Sequence, residues 1–109
     1  MCGMASPNLA CDIQAIGASQ RPRYHDLVAR LRSSMRDRKE LPEGYEYLLD
    51  STKITMAEVS EWVTLERLCC PFLIFQLEGA GKDSRLTMRG PDGVKAILGA
   101  EFPAGRQDG

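Results

Sequence analysis

Three side chains with reactive chemistry lie close together near the middle of the chain. Glu66 precedes Cys69 and Cys70 by three and four residues, a spacing at which side chains meet on one face of a helix. The same face carries an apolar stripe formed by Val59, Trp62 and Val63. A carboxylate is costly to bury without a partner, and desolvation raises its pKa, so a buried Glu66 would suit a proton donor or acceptor beside the thiols. In the alternative interpretation, Glu66 leans to the rim and pairs with an arginine of the preceding helix.

Two adjacent cysteines at a helix end are poorly suited to a bridge between themselves. Neighbouring side chains on a helix diverge by about 100°, and a disulfide between them has an unfavourable Cα spacing. Pro71 favours unwinding of the last turn, so both sulfurs can approach one atom. The pair is therefore suited to hold a soft ion or to bridge with a third thiol. Cys11 is the expected third thiol, on the order of 4 to 7 Å from the pair between Cα atoms. Cys2 lies too close to the terminus to be held reliably.

Three thiolates without histidine predict a particular class of metal site. Such a set fits Hg(II), As(III) or Cu(I) better than a closed tetrahedral zinc site. The C-x2-C pairs of structural zinc sites are absent, and the only histidine, His25, is predicted to be solvated. The sequence therefore predicts a site that binds a soft metal or metalloid, or senses oxidant, through Cys11, Cys69 and Cys70, with Glu66 tuning it. The alternative is a structural or protein-interaction module in which the cysteines are small buried hydrophobic residues.

No arrangement in the sequence predicts an enzyme, a catalytic residue or an organic cofactor. A helix C-terminus disfavours a thiolate. No cysteine–histidine arrangement, hydrolytic triad or glycine-rich phosphate loop is visible. Basic residues crowd the first helix, but without interleaved aromatic residues they indicate a solvated face and not a nucleic-acid interface. The predicted partner is therefore a soft metal ion or a small thiophile.

The totals predict one cytoplasmic domain. The chain has 109 residues, 43% of them hydrophobic, and a formal net charge of −1, which is ordinary for a single globular domain. No stretch approaches 18 apolar residues and the N-terminus lacks the pattern of a signal peptide. We therefore expect no membrane contact, a reducing compartment, and cysteines that are thiols at rest. The expected divisions are an irregular arm over residues 1–19, one domain over residues 20–102, and a loose tail over residues 103–109.

Hydrophobic periodicity predicts the elements that position these residues. An apolar stripe at helical spacing predicts a first helix that starts at Pro22 and ends before the break at residues 41–44. A second helix is predicted over Met56–Cys70, because Thr55 and Glu58 form a capping box at its start. Strands are predicted over residues 45–49, 72–77 and 85–89, the last two as an antiparallel hairpin with the 72–77 strand in the interior of the sheet, and a short helix follows near Val94. The order α-β-α-β-β-α predicts an α+β fold: a small, mainly antiparallel sheet with helices on one face.

One stretch also resembles a known sequence signature. Residues 65–77 read LERLCCPFLIFQL, which is similar to the L-E-R-x-C-C-P-F-L-x-F-x-L signature of a group of small uncharacterised bacterial proteins. The group's A-C-D, L-P-x-G-Y and G-P-x-G-x-K segments are matched at residues 10–12, 41–45 and 90–95. The resemblance covers most of residues 10–100, and Ile97 stands in place of the usual aromatic residue. It implies that Cys11, Glu66, Cys69 and Cys70 belong to the shared pattern while Cys2 does not, and it assigns no activity.

Overall fold

A four-stranded antiparallel sheet and three helices form the fold, in a computed structural model that describes residues 11–103. The predicted α+β class is confirmed. In chain order the elements are α1 (Arg21–Ser34), β1 (Met35–Leu41), β2 (Gly44–Leu49), α2 (Met56–Cys69), β3 (Ile74–Ala80), β4 (Asp83–Arg89) and α3 (Val94–Glu101). Two short 3-10 turns, Ile13–Ala15 and Ala18–Gln20, precede α1.

The sheet separates an apolar inner face from a charged outer face. Its strand order is β1-β2-β4-β3, and side chains alternate between the two faces along each strand. On the inner face, Tyr47, Leu86 and Met88 are fully buried. On the outer face, Arg85 forms ion pairs with Glu46 and Glu78. The helices therefore cover one face, as predicted, and the fold has a single layer of core.

The predicted pairing of the last two strands, and the helix packed on them, are confirmed. β3 and β4 are antiparallel, with Leu77 opposite Leu86. Trp62 of α2 is fully buried, and its ring meets the ring of Phe75 edge-on at 5.7 Å between centroids. The indole anchors α2, and with it the cysteines at its C-terminus, on the inner face.

The first helix is shorter than predicted, and the residues after it form an additional strand. α1 ends at Ser34, and Met35 is already extended, with φ −75° and ψ 111°. β1 then pairs antiparallel with β2 across the turn at residues 41–44, which was predicted only as a helix break. The helix prediction failed here because residues 36–40 carry only charged side chains and provide no hydrophobic period. Charged residues are typical of an edge strand, where they discourage pairing with other chains.

The position of β3 in the sheet was also predicted wrongly. The apolar run was assigned to the interior of the sheet, whereas β3 lies at the edge opposite β1. Its side chains alternate in burial, and Ile74 is 60% exposed. A short apolar run does not distinguish an edge strand with one covered face from a strand buried on both faces.

Within the described residues, no helix has the length and apolarity needed to cross a membrane.

The predicted start of α2 is confirmed and gives a first testable prediction. The Thr55 side chain accepts a hydrogen bond from the Glu58 backbone, and the Glu58 carboxylate accepts one from the Thr55 N–H at 3.0 Å. We expect Thr55→Ala to lower the free energy of unfolding by about 1 kcal/mol, measured by urea denaturation. Thr64→Ala is the matched control. Thr64 is an exposed residue of the same helix, and its hydroxyl donates a hydrogen bond to the Ser60 carbonyl and takes no part in the cap. Equal midpoints for the two variants would contradict a contribution from the cap.

Candidate functional site

The end of α2 brings the two adjacent sulfurs together. The helix stops at Cys69, and Cys70 leaves helical geometry with φ −128° and ψ 76°, although its N–H still donates to the Glu66 carbonyl. Pro71 follows and cannot continue the helix. As a result the two Sγ atoms lie 3.7 Å apart. The predicted unwinding is confined to Cys70, which leaves helical geometry while the last turn keeps its hydrogen bond to the Glu66 carbonyl. This departure removes the divergence that a regular helix would impose.

The segment before α1 brings Cys11 to the same point. The Asp12 N–H donates to the Cys69 carbonyl at 2.9 Å, which ties this segment directly to the end of α2. The Asp12 carboxylate caps the first 3-10 turn by accepting from the Gln14 N–H. Ile16 is fully buried, and Arg21 donates to its carbonyl at 3.0 Å. These contacts hold residues 11–16 against the domain.

The three sulfurs form one compact cluster, in which Cys11 and Cys70 are joined by a disulfide with Cα atoms 4.7 Å apart. The expected proximity of Cys11 to the pair is confirmed. All three Sγ atoms lie within 4.8 Å of one another. Cys69 and Cys70 are 5% and 4% exposed, whereas Cys11 is half-buried. Access from solvent is therefore on the Cys11 side. The sequence predicted thiols at rest, whereas this structure joins Cys70 to Cys11, which is the alternative in which the pair bridges with a third thiol.

Glu66 is buried beside this cluster. It is 6% exposed, and its carboxylate accepts a 2.6 Å hydrogen bond from the Tyr24 hydroxyl. Burial raises the pKa of Glu66, and the Tyr24 hydrogen bond offsets part of that rise. The interpretation that Glu66 leans to the rim and pairs with an arginine is wrong. Two arginines of α1 pair with other carboxylates of α2 instead: Arg23 with Glu61 and Arg30 with Glu58.

Tyr24 is the residue that the sequence analysis missed. Burial, followed by the negative charge of Glu66, raises its pKa, so the hydroxyl remains a donor. A charge on Cys69 would raise that pKa further, which places Cys69 in the same surroundings. The signal was present, because Tyr24 lies on the predicted apolar stripe of the first helix with one polar atom to satisfy. Glu66 is not among the three ligand atoms that cluster, and its role in tuning the site stays a prediction.

The remaining polar features lie elsewhere. His25 is exposed, as predicted. A groove of about 480 Å³ lies on the outer face of the sheet and is lined by charged and polar side chains that include Glu46, Glu78 and Arg89. It contains none of the cysteines. The groove and the sulfur cluster are therefore separate features of the described residues.

No protein family, curated protein or solved structure matches the chain.

Proposed function

We propose that this protein uses Cys11, Cys69 and Cys70 as one thiol site, which binds a soft metal ion or metalloid when reduced and is closed by a disulfide when oxidised. The observation that carries the proposal is the mutual distance of the three sulfurs, at most 4.8 Å. These residues come from two segments separated by 59 positions in sequence, so only the folded chain offers the complete set. Glu66 lies beside the site and tunes it.

The spacing suits an ion bound by several thiolates. With metal–sulfur bonds of about 2.3 Å, a planar three-coordinate ion holds its sulfurs about 4.0 Å apart. The Cys69–Cys70 separation of 3.7 Å is already close to this value. Opening the bridge frees the other two sulfurs to move apart to the same distance. Sulfur-only ligation selects soft, thiophilic centres.

The bridge makes occupancy dependent on redox state. Two molecules of a small thiol reduce the disulfide to two thiols and are themselves oxidised to a disulfide. Cys11 is the less buried residue of the bridge, so a small thiol would approach from its side. A metal requires both sulfurs deprotonated and unbridged, so oxidation excludes it. The same site would thus respond to oxidant.

A structural role for the cluster is the second candidate. Cys69 and Cys70 belong to the hydrophobic core, and buried cysteine commonly acts as a small hydrophobic residue. In that case the bridge would only staple the segment before α1 to the end of α2. This candidate predicts no response to metal beyond that of an unstructured thiol.

Thermal unfolding with Hg(II) tests the proposal. At about 100 times the dissociation constant, binding to the folded state contributes about 2.7 kcal/mol, which corresponds to a rise of about 10 °C in Tm for a domain of this size. We expect that rise for the reduced protein and for its C2S variant. The oxidised protein and a C11S/C70S variant, which keeps one sulfur of the site, should show little change. A rise of equal size in C11S/C70S, or no rise in the reduced protein, would favour the structural role.

Membership of the group of bacterial proteins with the L-E-R-x-C-C-P-F-L-x-F-x-L signature remains a prediction, as does a cytoplasmic location. A reducing compartment would keep the site open and is consistent with the proposed chemistry.

A further inference from the structure

We infer that the preferred ligand of the sulfur cluster is a trivalent metalloid, arsenic(III) or antimony(III), bound through all three of Cys11, Cys69 and Cys70. This inference rests on the proposed function and narrows its ligand class. It follows from three features of the site: the number of sulfurs, their burial, and their place at the end of a helix.

The number of sulfurs fixes the charge of each possible complex. Within residues 11–103 the cluster contains three sulfurs, with no histidine or carboxylate among its ligand atoms. Three thiolates neutralise a trivalent centre completely. They leave a divalent ion such as Hg(II) or Zn(II) with one net negative charge, and a monovalent ion such as Cu(I) with two. Hg(II) becomes neutral with two thiolates and so needs only two of the three cysteines.

Burial favours the neutral complex. Cys69 and Cys70 are 5% and 4% exposed and pack within the hydrophobic core. A charged complex transferred into such surroundings is penalised far more than a neutral one. Glu66 is also buried, at 6% exposure, and its carboxylate accepts a hydrogen bond from the Tyr24 hydroxyl. Because a carboxyl group is either neutral or negative, Glu66 cannot compensate the charge of an anionic complex.

The position of the cysteines at the end of α2 also favours a neutral complex over an anionic one. Cys69 is the last residue of α2 and Cys70 is its cap. The C-terminus of a helix carries a partial negative charge of roughly half an elementary charge, which disfavours both resident thiolates and an anionic complex. The one basic residue in the last turn, Arg67, is exposed.

Trivalent metalloids bind without needing resident thiolates. The hydroxide form of As(III), with three hydroxyl groups, condenses with three thiols. Three arsenic–oxygen bonds and three sulfur–hydrogen bonds break, three arsenic–sulfur bonds form, and three waters leave. Arsenic keeps its oxidation state, and no net charge enters the core. The disulfide must first be reduced by a small thiol, as described above.

Arsenite titration of the reduced full-length chain tests the inference, after removal of the reductant so that it does not compete. We expect one arsenic per chain. The native complex should weigh one arsenic more and three hydrogens less than the free protein. A two-sulfur adduct would instead retain a hydroxyl on arsenic and lose two hydrogens. Observation of that second mass, or of no adduct, would overturn the inference without needing any variant.

Single substitutions provide the second measurement. Loss of one direct ligand should weaken arsenite binding by more than about a hundredfold, because loss of even a supporting residue around a metal costs 10–100-fold. We expect this for C11S, C69S and C70S, while C2S should bind as the wild type does. Loss of binding in C2S would indicate a fourth sulfur and overturn the three-sulfur assignment.

The Hg(II) experiment distinguishes a failure of the metalloid preference from a failure of the proposed thiol site. If Hg(II) stabilises the reduced protein and arsenite forms no three-sulfur adduct, the metalloid preference is wrong and the thiol site stands. If neither Hg(II) nor arsenite binds, the metalloid preference and the proposed thiol site are both wrong.

Discussion

Reduction of the Cys11–Cys70 bridge is expected to lower the free energy of unfolding by about 4 kcal/mol. The bridge joins residues 59 positions apart and so restricts the unfolded chain far more than the folded one. The relation between loop length and chain entropy gives about 4 kcal/mol for a loop of this size. Domains of this length are stable by only about 5–15 kcal/mol in total, so the change should be large.

Urea denaturation of the oxidised protein, with and without a phosphine reductant, measures this effect. C11S is the cleanest substitution, because Cys11 is half-buried and a serine there leaves no hydroxyl deep in the core. Its midpoint should match that of the reduced wild type, and reductant should not change it. C2S should retain the full difference between its oxidised and reduced forms. Identical midpoints for oxidised and reduced wild type would contradict a stabilising bridge.

The same reasoning connects stability to ligand binding. A ligand held by all three sulfurs would tie Cys11 to the end of α2 again, in place of the disulfide. It should therefore restore much of the stability that reduction removes. The disulfide joins the two segments in the oxidised protein, and the ligand joins them in the reduced protein. Only the reduced, ligand-free protein is therefore expected to have a low free energy of unfolding. This property distinguishes a ligand site from a simple structural bridge.

Local signals explain which parts of the fold were predictable. The start of α2 follows from Thr55 and Glu58, and its end follows from Pro71, so both bounds could be predicted from neighbouring residues. β1 could not be predicted, because its charged residues have no hydrophobic period and their strand geometry comes from pairing with β2. The edge position of β3 could not be predicted either, because it arises from the pairing of β2 with β4 and not with β3.

The candidate site divides in the same way. Cysteine chemistry alone was sufficient to predict that Cys11 meets the adjacent pair. The choice of Cys70 over Cys69 as the bridging partner was not predictable, because it depends on the backbone of Cys70 after the helix ends. The Tyr24–Glu66 hydrogen bond was missed for a related reason. It joins residues 42 positions apart, and only the packing of α1 on α2 brings them together.

Tyr24→Phe is expected to destabilise the protein by about 2 kcal/mol at neutral pH. The substitution removes the hydroxyl that bonds to the buried carboxylate of Glu66 at 2.6 Å, and a buried acceptor left without its donor costs about 1–3 kcal/mol. Glu66→Gln should restore most of this loss in the double variant, because a neutral amide is less costly to bury than a carboxylate. The four proteins form a double-mutant cycle that isolates the coupling between the two side chains.

The pH dependence of this loss identifies its electrostatic origin. Burial raises the pKa of Glu66 above its ordinary value of 4.5, so the folded state holds the proton more tightly than the unfolded chain does. The contribution of Glu66 to stability is therefore most favourable below that value and decreases as pH rises through its folded-state pKa. Removing the Tyr24 hydroxyl raises that pKa further, so the cost of Tyr24→Phe should grow from pH 4 to pH 7. Tyr45→Phe, a half-buried tyrosine that stacks against Arg38, is the control and should show no such growth. Urea midpoints measured across this range check the prediction, and a cost for Tyr24→Phe that is independent of pH would show that Glu66 is not the partner that matters.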